Sequence, residues 1–179
     1  MRIIIFILIL CLNHNNGVSQ SCITETYTSQ IGVREATGKN DGKQVEAYLK
    51  SVKLGKGYPW CAAFVHWCFV QCGIKTTINA MALSSHRPGH IIYFKGTKIQ
   101  TPQAGDVFTL YYPKLGRIGH TGFFDKQINL KIYRSVEGNT NAAGSREGDG
   151  GYIKYRSYNS TYSINRIVTG KHKIGRAHV

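Results

Sequence analysis

The sequence predicts an α+β fold of N-terminal helices packed on an antiparallel sheet. Three observations carry that prediction. Helical spacing is confined to the first half of the chain, strand-like alternation takes over after about residue 90, and most of the later segments are separated by Gly-, Asn- or Lys-rich turns. At 179 residues with 42% hydrophobic content, the chain suits one domain with a single core. It contains no internal repeat or low-complexity tract.

The elements follow in chain order. Thr24–Ala36 has weak helical spacing through Ile31, Val33 and Ala36. Lys39-Asn40-Asp41-Gly42 is a turn cluster, and Lys43–Val52 reads as a helix with Val45, Ala47, Tyr48 and Leu49 apolar. Pro59–Cys72 is the clearest helix. Proline suits the first turn, Gly73 follows as a stop, and only His66 and Gln71 are strongly polar, which predicts a buried central helix. Strands are predicted at His90–Phe94, Asp106–Tyr112, His120–Phe124, Leu130–Glu137, Tyr152–Tyr158 and Ser163–Val168.

Both ends stand apart from this domain, which is assigned to residues 20–173. Residues 1–19 read as an export signal: Arg2 precedes an apolar run from Ile3 to Leu12, and Gly17 and Ser19 suit cleavage before Gln20. The run is too short to span a bilayer. A lipid on Cys11 is a rival reading, disfavoured by Leu10 where a small residue is required; an uncleaved anchor is another. Residues 174–179 read as the translation of a sequencing adapter joined to a real frame.

The formal charge is +14. Without Arg2 and Arg176 the balance is 21 Lys and Arg against 9 Asp and Glu, about +12, so the chain is expected to seek polyanions. No zinc-finger spacing or aromatic RNA-binding signature points to nucleic acid. For an exported protein, anionic cell-wall polymers or anionic lipid are the expected partners, and a merely soluble basic surface is the alternative. Export also places Cys22, Cys61, Cys68 and Cys72 in an oxidising compartment. One disulfide at most is expected, joining Cys22 to Cys72 or Cys68, because Cys68 and Cys72 point in nearly parallel directions on one helix.

Chemistry concentrates in three segments. Cys61, two residues past Pro59, sits where a helix start lowers a thiol pKa, whereas Cys68 and Cys72 fall deeper in the helix. Gly116-Arg117-Ile118-Gly119-His120-Thr121-Gly122 brings a histidine to a strand start, and Gly119 and Gly122 leave room for backbone or substrate. Ser135-Val136-Glu137-Gly138-Asn139 closes the next strand with a carboxylate and an amide. The short Asp125–Asn129 connection implies that adjacent strands carry His120 and Glu137. A Cys–His pair needs a third group to fix the imidazole tautomer, and Glu137 or Asn139 can serve. Trp60 is either a groove wall or a core residue. Glu35 and Asp41 flank a Gly-rich turn, either lining a substrate groove or simply solvated. His86 and His90 are poor metal ligands on one helix because Pro88 intervenes.

These motifs resemble a known family. Tyr58-Pro59-Trp60-Cys61-Ala62-Ala63-Phe64-Val65, Gly105-Asp106-Val107, Gly119-His120-Thr121-Gly122 and Glu137-Gly138-Asn139-Thr140 are similar to the CHAP domain (cysteine, histidine-dependent amidohydrolase/peptidase). That family is a branch of the NlpC/P60 and papain-like hydrolases, and the resemblance runs from Thr28 to Tyr158. It implies a papain-like fold, with Cys61 as nucleophile, His120 as general base, Glu137 orienting His120 and Asn139 adjoining. The implied reaction is cleavage of an amide in peptidoglycan, at the muramoyl–L-alanine bond or within the stem or cross-bridge peptide. No cofactor or metal is implied, and a monomer is expected. Two departures are visible. Lys53–Tyr58 carries no acidic calcium loop, and Trp60 stands where some relatives have an oxyanion-binding Gln, which leaves the Cys61 backbone N–H as the nameable donor. A non-enzymatic, wall-binding protein on a degenerate scaffold is the alternative.

Overall fold

The computed structural model describes residues 14–143 and 148–168, with side chains in the first helix from Gln20 onward. Three helices, α1 (His14–Ser29), α2 (Lys43–Ser51) and α3 (Cys61–Gln71), precede seven strands. These are β1 (Ile91–Phe94), β2 (Thr97–Lys98), β3 (Val107–Tyr112), β4 (Arg117–Gln127), β5 (Ile132–Thr140), β6 (Gly150–Ser157) and β7 (Ser163–Asn165). They form one sheet, ordered β2-β1-β7-β3-β4-β5-β6, in which every pairing is antiparallel. The α+β arrangement read from the sequence is therefore present.

The predicted Pro59–Cys72 helix is realised as the shorter α3, Cys61–Gln71, with Pro59 standing just before the N-cap Trp60 and not in the first turn. Its C-terminus is a Schellman motif. Gly73 takes φ +67°, Ile74 N–H donates to Phe69 O, and Gly73 N–H donates to Val70 O. Cys61 through Val65, Cys68 and Phe69 are buried, and Phe64 and Phe69 pack with Phe123 of β4 and Val136 of β5. Replacing Phe69 with Ala would cost about 3–5 kcal/mol through the cavity left behind. A disulfide joins Cys22 of α1 to Cys72 at the end of α3, and Cys61 and Cys68 are free.

The helix expected over Thr24–Ala36 is corrected: α1 ends at Ser29. Beyond it, Gly32 adopts φ +92° and the chain leaves the helical path. Gly32 N–H donates to Gly151 O, Gly151 N–H to Val33 O, and Glu35 N–H to Asp149 O, so residues 32–35 run along the start of β6. The last predicted strand also shortens, from Ser163–Val168 to Ser163–Asn165, where Arg166 turns to pair with buried Asp106. β2 is two exposed residues without an alternating pattern, so no sequence signal marks it.

Two bulges shape the sheet where it meets α3. Leu110 pairs with His120 but Tyr111 pairs with Ile118, leaving Gly119 as an extra residue on β4. Phe124 pairs with Ser135 and Lys126 with Arg134, leaving Asp125 extra. Asp125 is held between Tyr27 of α1 and Arg134 of β5. No helix among the described residues is long and apolar enough to cross a membrane. The expected signal and the foreign tail fall largely or wholly outside the described residues.

Candidate active site

The first intrahelical bond of α3 runs from Phe64 N–H to Trp60 O. The N–H groups of Cys61, Ala62 and Ala63 precede it and are free to interact with charge at the helix start. Cys61 is the first helical residue and is 5% exposed, packed with Ala82, Ile118 and Tyr162. Burial alone would raise its thiol pKa. The His120 imidazole, with the N–H groups of Thr121 and Ala62, outweighs that effect and brings the thiol below its ordinary value.

His120 lies on β4 directly after the Gly119 bulge and has no solvent exposure. Its Nε2 is 2.8 Å from Glu137 Oε2 on β5, as a β4–β5 hairpin with a short connection requires. Nδ1 is buried and completes no hydrogen bond, which leaves it as the ring nitrogen that addresses the Cys61 thiol. Burial opposes protonation of the ring, but the thiol and the Glu137 carboxylate override it and raise the imidazole pKa to about 9. A nucleophile at a helix start, a base against it and a carboxylate behind the base have the connectivity of a thiol hydrolase triad.

Glu137 is equally buried and is held from two further sides. Arg156 of β6 donates from Nε to Oε1 at 2.7 Å and from one terminal nitrogen to Oε2 at 2.5 Å, and Ser135 Oγ donates to Oε1. Burial raises a carboxyl pKa; here the Arg156 guanidinium and the His120 ring reverse that and hold Glu137 well below the usual carboxylate range. Sequence reading missed Arg156. Alternation on β6 places Arg156 and Lys154 on the same face, and the register sets Tyr152 opposite Glu137, so only the side-chain hydrogen bonds show that Arg156 reaches it.

The other expected site residues settle differently. Asn139 makes no side-chain hydrogen bond to His120 or Glu137. Its φ of +56° breaks the strand alternation, the register shifts between Glu137 and Thr140, and the side chain lines a groove with Glu35, Asn141 and Asp149. Of the two readings of Trp60, the structure favours the core residue over the groove wall: it is fully buried, stacks on Tyr48 at 5.4 Å, and donates from Nε1 to Glu35. Gly119 and Gly122 are both buried, and of the two close approaches open to them, backbone or substrate, Gly122 takes that of the protein itself. A Cβ at Gly122 would lie 2.9 Å from the Phe108 ring and 3.0 Å from Glu137 Cγ, so the glycine makes room for the carboxylate. Of the two acids beside the Gly-rich turn, Glu35 lines the groove, while Asp41 closes its own turn by accepting from Thr37.

The histidines at 86 and 90 point to different partners, Ser163 Oγ and Arg166 O. Among the described residues, no group of three or more His, Cys, Asp or Glu side chains is placed to hold a metal ion.

Residues 53–139 match the family model of the CHAP domain, a span that contains Cys61, His120, Glu137 and Asn139. Over that span the chain is similar to the CHAP domain. CHAP domains form a family of peptidoglycan amidases and peptidases. The match is narrower than the Thr28–Tyr158 span read from the motifs, so Glu35 and Arg156 lie outside the matched CHAP segment while touching its residues. No curated protein and no solved structure matches the chain significantly.

Proposed function

We propose that this protein is an exported peptidoglycan hydrolase, papain-like in fold, in which Cys61 attacks a peptide or muramoyl amide. The observation that carries the reading is the buried line Cys61, His120, Glu137, with the imidazole between thiol and carboxylate. His120 takes the thiol proton, and the thiolate adds to the amide carbonyl. The Cys61 backbone N–H, in the first turn of α3 ahead of the first intrahelical bond, faces the charge that develops on the carbonyl oxygen. The imidazolium then protonates the leaving amine as the C–N bond breaks, leaving a thioester on Cys61. Water, deprotonated by His120, adds to the thioester carbonyl, and its collapse releases the acid and restores the thiol. Glu137 compensates the imidazolium throughout.

Export with loss of residues 1–19 supplies access to the wall, and the charge of about +12 left on residues 20–173 supplies attraction to anionic wall polymers. The protein acts as a single-domain monomer in this reading. The test is digestion of purified peptidoglycan by the processed domain, with fragments identified by mass spectrometry and a thiol-reactive probe run in parallel. New amines and rapid labelling at Cys61 support hydrolysis. Wall binding without fragments or labelling would leave the non-enzymatic, wall-binding reading instead.

A further inference from the structure

Beside the buried line lies a groove of about 390 Å³ that the mechanism above does not use. Its lining includes Glu35, Asn40, Asn139, Asn141 and Asp149. Asn139 is the unusual member. It is 1% exposed, yet neither Nδ2 nor Oδ1 of its amide has a hydrogen-bond partner. Buried amides nearly always find partners, because leaving both donor and acceptor unpaired forfeits their hydration with nothing in return. Asn139 has left-handed backbone, φ +56°, and stands among the residues that line the groove.

The groove is also acidic, on a chain whose net charge is +14. Glu35 accepts one bond on each oxygen, from Trp60 Nε1 and from Asn40 N–H, and Asp149 accepts from Tyr152, so each carboxylate keeps lone pairs for another donor. Two cations among the described residues nearby are engaged with other groups. Arg34 lies 3.9 Å from the Tyr152 ring centroid and bonds carbonyls, and the Lys154 ammonium bonds the carbonyls of Asn141 and Ala142.

We propose that this groove binds a peptide segment bearing a free ammonium group, with Asn139 pairing a substrate amide and Glu35 and Asp149 facing the cation. An amide side chain offers one donor and one acceptor face, the complement of a peptide unit. Asn139 is then a substrate-binding residue and not an imidazole-orienting one. The bond from Glu35 to Trp60 joins the groove to the residue immediately before Cys61. The inference deepens the proposed function, since it identifies the ligand as an amine-bearing wall peptide on the strength of that reading.

The experiment uses the full processed chain carrying Cys61→Ala, so that binding is read without turnover. Calorimetric titration compares a short synthetic stem peptide with a free side-chain amine against the same peptide N-acetylated at that amine. The amine peptide is expected to bind at least about tenfold more tightly. Glu35→Gln and Asp149→Asn should each narrow that preference, while Asn139→Gly, which tolerates the left-handed backbone, should weaken both peptides alike. Equal binding of the two peptides, no binding of either, or indifference to Asn139→Gly overturns the proposal. Wild-type hydrolysis is scored separately. Hydrolysis without amine preference removes the groove alone, and amine-selective binding without any hydrolysis removes the catalytic reading alone.

Discussion

Arg156 grips the carboxylate that holds the histidine: its guanidinium donates to both oxygens of Glu137, on a strand that no motif of the chain singles out. The pair is nearly dry, with the Arg156 side chain 15% exposed and Glu137 at 0%. Removing one partner of such a pair leaves an uncompensated buried charge, at a cost of about 3–5 kcal/mol. Arg156→Met should therefore lower the melting temperature. It should also raise the imidazole pKa further, because a cation beside the His120–Glu137 couple is lost. The check is a pH–rate profile on the folded fraction, where an alkaline limb that stays put would reduce Arg156 to a packing residue.

Glu137→Gln keeps the shape of the side chain and removes its charge. Turnover is expected to fall by roughly 10²-fold or more, the scale of general acid–base assistance. Asn139→Gly should cost less in turnover and more in KM, since its amide faces the groove and not the ring. A near-silent Glu137→Gln beside a crippled kcat in Asn139→Gly, assayed on one peptidoglycan preparation, would reverse those roles.

Cys61→Ala should abolish hydrolysis and leave the fold intact, because it removes one sulfur at a helix start. Cys68 lies on the same helix with its thiol pushed well up by burial. Cys68→Ala should retain the chemistry and cost roughly 1–2 kcal/mol in stability. A thiol-reactive probe at neutral pH discriminates the two sites, with Cys61 labelling first. Preferential labelling of Cys68 would contradict the electrostatics described above.

The pH dependence follows from the same shifts. The thiol of Cys61 is lowered and the imidazole of His120 is raised, to about 9. The thiolate–imidazolium pair forms as pH rises through the lowered thiol pKa and disappears as the imidazolium deprotonates near 9. Glu137, held low, remains charged across that window. A bell-shaped profile with its alkaline limb near pH 9 is expected in kcat/KM. A descending limb near pH 6.5, the value of an unperturbed imidazole, would be incompatible with this arrangement.

Gly122 tests the packing behind the site. A methyl group there would meet Phe108, the Val136 carbonyl oxygen and Glu137 Cγ, each within 3.0 Å. Gly122→Ala should destabilise the domain by about 1–3 kcal/mol and displace Glu137 from His120. The expected readout is a loss of turnover larger than the loss of folded protein, measured by thermal denaturation alongside the rate. Full activity in a folded Gly122→Ala protein would show that the carboxylate has more room than these distances give it.

The sequence by itself determined the local half of this protein. Proline and glycine bracketed α3 and put Cys61 at its start, alternation marked the strands, and the short connection after Asp125 made β4 and β5 neighbours, so His120 and Glu137 had to approach. Such signals act within one element or across one turn, where spacing alone dictates geometry. The tertiary structure decided what depends on partners distant in sequence. It inserted β7 between β1 and β3, chose Cys72 over Cys68 as the partner of Cys22, and buried Trp60 against Glu35 and Tyr48. It also brought Arg156 rather than Lys154 onto Glu137, and it turned Asn139 out of the strand. Register between strands, the direction of one left-handed residue and the pairing of buried charges are set by packing of the whole sheet against α3, and no local pattern encodes them.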